Sequence, residues 1–151
     1  MGAVAINYFA VQRPLVSALS QTPYAKATIY AHFGGFMQKN ALVIHILGTN
    51  SVDKSNFTDF LVALAHSASQ ETVYERVSLS SGFMGEYSLA GSDWKEFGDM
   101  TQATEEQRKE FLLKQMGDAS GQPLIDAQTE EARNAQREKV WEEFVSHWIK
   151  S

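Results

Sequence analysis

Two apolar runs, Lys26–Phe33 and Asn40–Leu47, flank a Gly34-Gly35 break, and a single pairing of them buries an unbroken face. β-Branched and aromatic residues on both sides of such a break predict a β-hairpin. With Phe33 opposite Leu42, Ile29 falls opposite Ile46. One face then carries Ala27, Ile29, Ala31 and Phe33 against Leu42, Ile44 and Ile46. The other carries Thr28, Tyr30 and His32 against Val43, His45 and Leu47. A slip of one residue would exchange the two sets, because side chains alternate with period two. The hairpin is therefore expected to have one fully buried face and one partly covered face, on which His32 and His45 sit diagonally.

The rest of the chain is read around this hairpin. Val4–Val11 is an apolar lead-in without a clean period, helix or strand. Pro14 suits the first turn of a helix over Arg13–Gln21, which Thr22-Pro23 closes. After a loop at Gly48–Ser55, Phe57, Phe60, Leu61, Leu64 and Ala68 share one stripe of a helix over Asn56–Ser69. Its start has Ser55 or Asn56 as cap and Asp59 in the first turn. Thr72–Leu79 alternates as a strand, and Met84–Ala90 follows as another, ended by Gly91. A short helix holds Trp94 and Phe97. A second opens on the capping box of Thr104 with Gln107 and ends at Met116, with Gly117 in the position where a left-handed cap is expected. Asp118–Pro123 is turn-rich and is the best candidate for a hinge.

The last helix, Asp126–Lys150, has two unlike halves. Val140, Trp141, Phe144, Val145, Trp148 and Ile149 form an apolar stripe that continues backwards through Glu130, Glu131, Asn134, Arg137 and Glu138. The C-terminal half is expected to pack and the first half to project into solvent or against a partner. Together the elements run α-β-β-α-β-β-α-α-α and predict one α+β domain over residues 1–151. Its sheet should be mostly antiparallel with about four strands, followed by a long C-terminal helix.

Composition narrows the function classes. Thirteen basic against eighteen acidic side chains leave a net charge of −5, too acidic for a phosphate-backbone binder. The chain has no cysteine, which removes disulfides, thiolate metal sites and thiol catalysis. It has no apolar run of the roughly 20 residues that span a bilayer. Nothing in this composition chooses between the cytoplasm and an extracytoplasmic compartment reached through a removed signal or anchor.

Gly48-Thr49-Asn50-Ser51-Val52-Asp53-Lys54-Ser55 resembles the Walker A motif of P-loop nucleotide hydrolases at every defined position except Asp53, which replaces the second glycine. The resemblance covers these eight residues and implies a phosphate held by backbone N–H groups, with Lys54 as counter-charge and Ser55 beside it. Against it, Asp53 brings a carboxylate to where phosphate should sit. The preceding strand is expected to be the second arm of a hairpin rather than part of a parallel sheet, and no apolar strand ending in Asp follows to hold magnesium. A capped structural loop is the expectation.

His32, His45 and Tyr30 form the other ligand-binding candidate, for which Glu75 or Glu86 would have to supply a third metal donor. Strand histidines under a covering helix are the plainer expectation, with no metal and no cofactor. No Gly-x-Ser-x-Gly elbow or spaced Asp–His pair marks a nucleophile, so no catalytic residue is assigned and an enzyme is not expected. Trp141, Phe144, Val145 and Trp148 serve either as core or as an interface. The expectation is a non-catalytic binding or assembly module that contacts another protein, or a second copy of itself, through the C-terminal helix or the open sheet face. The alternative is a small-ligand or phosphate-binding domain, enzymatic or not, using residues 48–55 or the His32/His45 face.

Overall fold

The computed structural model describes residues 11–33, 41–68, 74–82 and 86–149. The Gly34-Gly35 turn, most of the Val4–Val11 lead-in and the ends of the strands proposed at Thr72 and Met84 lie outside them. The elements are α1 (Arg13–Leu19), β1 (Thr28–Phe33), β2 (Ala41–Gly48), α2 (Phe57–Ala68), β3 (Arg76–Ser80), β4 (Tyr87–Ala90), α3 (Gly91–Gly98), α4 (Glu105–Gln115), β5 (Gly117–Asp118) and α5 (Glu130–Ser146). The architecture is α+β, with a mixed five-stranded sheet in the order β1-β2-β3-β4-β5.

β1 and β2 pair antiparallel in the expected register, Phe33 with Leu42, Ala31 with Ile44 and Ile29 with Ile46. Burial alternates accordingly: Ala31, Leu42, Ile44 and Ile46 are inaccessible or nearly so, while Tyr30 and Leu47 are exposed. The antiparallel expectation fails at the next pair, because β2 and β3 run parallel, Leu42 beside Val77 and Ile44 beside Leu79. The twelve-residue helix α2 lies between them and is long enough to return the chain in the same direction. β3 and β4 are antiparallel again, with Val77 opposite Leu89 and Leu79 opposite Tyr87.

β5 is an addition to the expected strands. Gly117 was expected as a left-handed helix cap, yet the positive-φ glycines among the described residues are Gly82 and Gly121. Gly117 instead pairs with Ser88, so α4 runs straight into the sheet edge. The proposed hinge is a tight turn. The Asp118 carboxylate accepts from the Ser120 amide at 2.9 Å, the Ser120 hydroxyl at 2.7 Å and the Gln122 amide at 3.0 Å.

All five helices of the described residues supply side chains to one hydrophobic cluster on the Ile44/Leu79 face, among them Leu15, Phe60, Trp94, Leu112 and Phe144. Val43 and Leu47, on the opposite face, belong to no part of that cluster. Among the described residues the arrangement is thus two-layered, with the helices on one side of the sheet. The free edge of the sheet, β1, is blunted by a side chain. Gln12 donates from Nε2 to the Ile29 carbonyl at 2.8 Å and accepts at Oε1 from the Ala31 amide at 2.7 Å. Its carboxamide imitates the peptide of a neighbouring strand and hides an edge that would otherwise invite pairing.

Candidate functional site

The antiparallel register sets Tyr30 opposite His45 and His32 opposite Val43. Side chains that are diagonal on such a ladder lie within reach of one another when they are long or aromatic. The two imidazoles meet: His32 Nε2 is 2.9 Å from His45 Nε2, and the ring centroids are 5.0 Å apart with the planes inclined by 26°. Tyr30 lies against both, 5.9 Å from His45 in a stacked arrangement and 5.4 Å from His32. His32 Nδ1 is 2.6 Å from the Phe33 carbonyl, a contact that fixes its proton on Nδ1 and leaves the Nε2 lone pair facing His45.

Burial and the neighbouring His32 hold the His45 imidazole below its ordinary value, against an opposing pull from Glu86. His45 is therefore neutral near pH 7, and with the His32 Nε2 lone pair accepting, its own Nε2–H donates across the 2.9 Å contact. Glu86 adjoins β4 beyond the Leu79–Tyr87 pair, two strands away from His45, so it acts at a distance. Glu75 lies at the other end of β3, where its carbonyl accepts from the Gly91 amide, and is not part of this cluster. The face continues across Ser78 and Ser88, opposite each other on β3 and β4.

Lys54 and Ser55 lie elsewhere, in the loop after β2. One objection to a phosphate site there falls away, since β2 does have a parallel neighbour in β3. The other strengthens. The Asp53 carboxylate accepts from the Ser55 amide at 2.9 Å, the Ser55 hydroxyl at 2.5 Å and the Asn56 amide at 3.2 Å. Asn56 Oδ1 accepts in turn from the Asp53 amide at 2.7 Å. The N–H groups that would cradle an anion are engaged by the loop's own side chains, and Ser51 takes the left-handed conformation at φ 72° to close the turn. Lys54 lines a groove of about 540 Å³ with Glu105, Glu138, Trp141 and Glu142. Three carboxylates around one ammonium repel phosphate.

The Ser55 hydroxyl and amide hold the Asp53 carboxyl below the usual carboxylate range, and Ser120 and Gln122 do the same for Asp118. Folded values below the unfolded ones contribute stability that is present at neutral pH and is lost as the pH falls below about 4 and through the folded values. Thermal unfolding followed by circular dichroism from pH 7 to 2 should show this loss, and Asp53→Asn should lower the neutral melting temperature while flattening the acid limb. An acid limb unchanged in both Asp53→Asn and Asp118→Asn would contradict the assignment.

Of the terminal residues named as a contact surface, Phe144, Val145 and Trp148 are buried. Phe144 meets Tyr87 edge to face at 4.8 Å, and Trp148 stacks on Phe57 at 5.8 Å. Trp141 is half-buried and lies under Lys109, whose Nζ is 5.9 Å from its ring. The helix starts at Glu130, capped by Thr129, because the Gln136 side chain reaches back to hold the Asp126 and Ala127 amides in a non-helical stretch. Its first half is exposed over residues 131–135 and carries ion pairs from Glu138 to Lys109 and from Arg137 to Glu110.

Among the described residues, then, the large apolar and aromatic side chains that stay exposed are Val16 on α1 and, side by side on the hairpin, Tyr30 and Leu47. No family model matches this sequence, and neither a curated protein nor a solved structure matches it. Among the described residues no helix is long and apolar enough to cross a membrane.

Proposed function

We propose that the chain is a non-catalytic binding module that contacts another protein through the open face of its sheet, centred on Tyr30, His45 and Leu47. The observation that carries this reading is the one-sided distribution of the described helices, with Tyr30 46% and Leu47 56% accessible on regular paired strands. Aromatic, uncharged patches of this kind are characteristic of the centres of protein contacts, whereas isolated exposed apolar residues are not. Burial of the terminal stripe favours the sheet over the last helix, because Phe144, Val145 and Trp148 are already spent in the core.

A photo-crosslinker placed at position 47 should capture a defined partner under native conditions, while one at the exposed Lys139 should not. Light scattering of the wild-type chain distinguishes a second copy from a foreign partner. Leu47→Asp with Tyr30→Asp should abolish the capture without lowering the melting temperature. A monomer that gives no position-47 crosslink, or equal crosslinking at 139, would refute the reading.

A further inference from the structure

We infer that His32 and His45 form a binding site for one divalent transition-metal ion, Zn²⁺ above all, held between their Nε2 atoms on the open sheet face. The site does not depend on whether that face meets a protein. Two nitrogen donors that converge to 2.9 Å are already close to the geometry a metal imposes. Zinc–nitrogen bonds of ~2.0–2.1 Å at a tetrahedral angle place two ligand nitrogens ~3.3–3.4 Å apart. The rings need open by only about half an ångström, which small side-chain rotations provide. The metal takes the place of the His45 Nε2 proton, which passes through solvent to His45 Nδ1 so that both imidazoles ligate neutral.

The surroundings fit the chemistry. His32 Nδ1 is tied to the Phe33 carbonyl at 2.6 Å. Ligating histidines commonly donate their second ring N–H to a carbonyl or carboxylate, which fixes the tautomer and turns the free lone pair to the metal. Tyr30 lies against both rings, stacked on His45 and tilted against His32. Imidazole donors select zinc, copper and nickel over magnesium or calcium, which require oxygen. Among the described residues no third His, Asp or Glu joins the pair in a metal-sized group. Two coordination positions are thus left to water or to a donor from outside, so this is an open, exchangeable site rather than a structural zinc.

The test is titration of the metal-stripped full chain with ZnCl₂, read by calorimetry and by histidine-ring nitrogen NMR. The Nε2 resonances of His32 and His45 should move together, and those of His66 and His147 should stay in place. His32→Ala and His45→Ala, each checked for folding by circular dichroism, should weaken binding at least tenfold, His66→Ala should not, and Mg²⁺ should give no response. One ion per chain or one per pair of chains supports the site equally, since both histidines ligate in either case. Absence of binding, Zn²⁺-dependent shifts at His66 or His147 in place of the pair, or unchanged affinity in His32→Ala and His45→Ala would overturn it. The partner reading fails separately, through the position-47 crosslink, which is made in metal-free buffer.

Discussion

Gly91→Ala is expected to leave the chain largely unable to fold. Gly91 opens α3 directly after β4, and its amide donates to the Glu75 carbonyl at 2.9 Å, so backbone passes against backbone at this crossing. A methyl group on Gly91 would fall inside the carbonyl of Tyr74 and within 3.0 Å of its Cα. A side chain in the way could rotate, but a carbonyl fixed between a strand and a buried tyrosine cannot. Overpacking of a well-filled core costs typically 1–3 kcal/mol, and a clash with backbone lies at or above the top of that range. We expect a loss above about 3 kcal/mol, a large share of the 5–15 kcal/mol that keeps most domains folded.

The glycines give this prediction an internal scale. At Gly98 an added Cβ would sit 2.7 Å from the His66 amide nitrogen, where α2 and α3 touch, so Gly98→Ala should also destabilise, but less. At Gly48 the nearest atom is the Thr28 hydroxyl at 3.2 Å, the end of a side chain that can turn away. Urea unfolding should rank the losses Gly91 over Gly98 over Gly48. Near-equal values for Gly91→Ala and Gly48→Ala would mean that the Tyr74 crossing is looser than described.

The hairpin was legible because its information is local. Alternation of Ile29, Ala31 and Phe33 against Leu42, Ile44 and Ile46 specifies the register, and the diagonal relation of His32 to His45 comes with it. The capping box of Thr104 and Gln107 was legible for the same reason, both partners lying within one turn. The parallel pairing of β2 with β3 was hidden, since nothing in either strand records the direction of its neighbour. β5 has two residues, too few to carry a period. Gln136, ten residues from Asp126, delays the start of α5 through a tertiary hydrogen bond that no propensity contains. The approach of the two imidazole nitrogens likewise depends on sheet twist and ring rotation. The sequence could place the histidines as diagonal neighbours on one face but could not supply the 2.9 Å.

Arg108→Ala should cost about 2–3 kcal/mol, at a position that reads as one more charge on a solvated helix. Arg108 is only 7% accessible. Its Nε donates to the Met100 carbonyl at 3.0 Å, Nη2 to the Thr101 carbonyl at 3.0 Å, and Nη1 to Asp59 at 3.3 Å. Asp59 also accepts the hydroxyl of Tyr24, whose proton is held above the usual tyrosine range by burial and by that bond. One guanidinium therefore joins α4 to the turn after α3, to α2 and to the loop before β1. A fully buried pair broken on one side loses ~3–5 kcal/mol, but the Asp59 side chain is 52% accessible and water can replace part of the loss. The two carbonyls carry most of the effect, so Arg108→Ala should exceed Asp59→Ala. Arg108→Lys should recover little, because one ammonium cannot match the planar fork that reaches three acceptors. Urea unfolding with an unchanged slope would measure these differences, and the His32 and His45 ring resonances should not move, since the network lies on the far side of the sheet. A loss below about 1 kcal/mol, the size of an ordinary surface pair, would show that Arg108 holds nothing together.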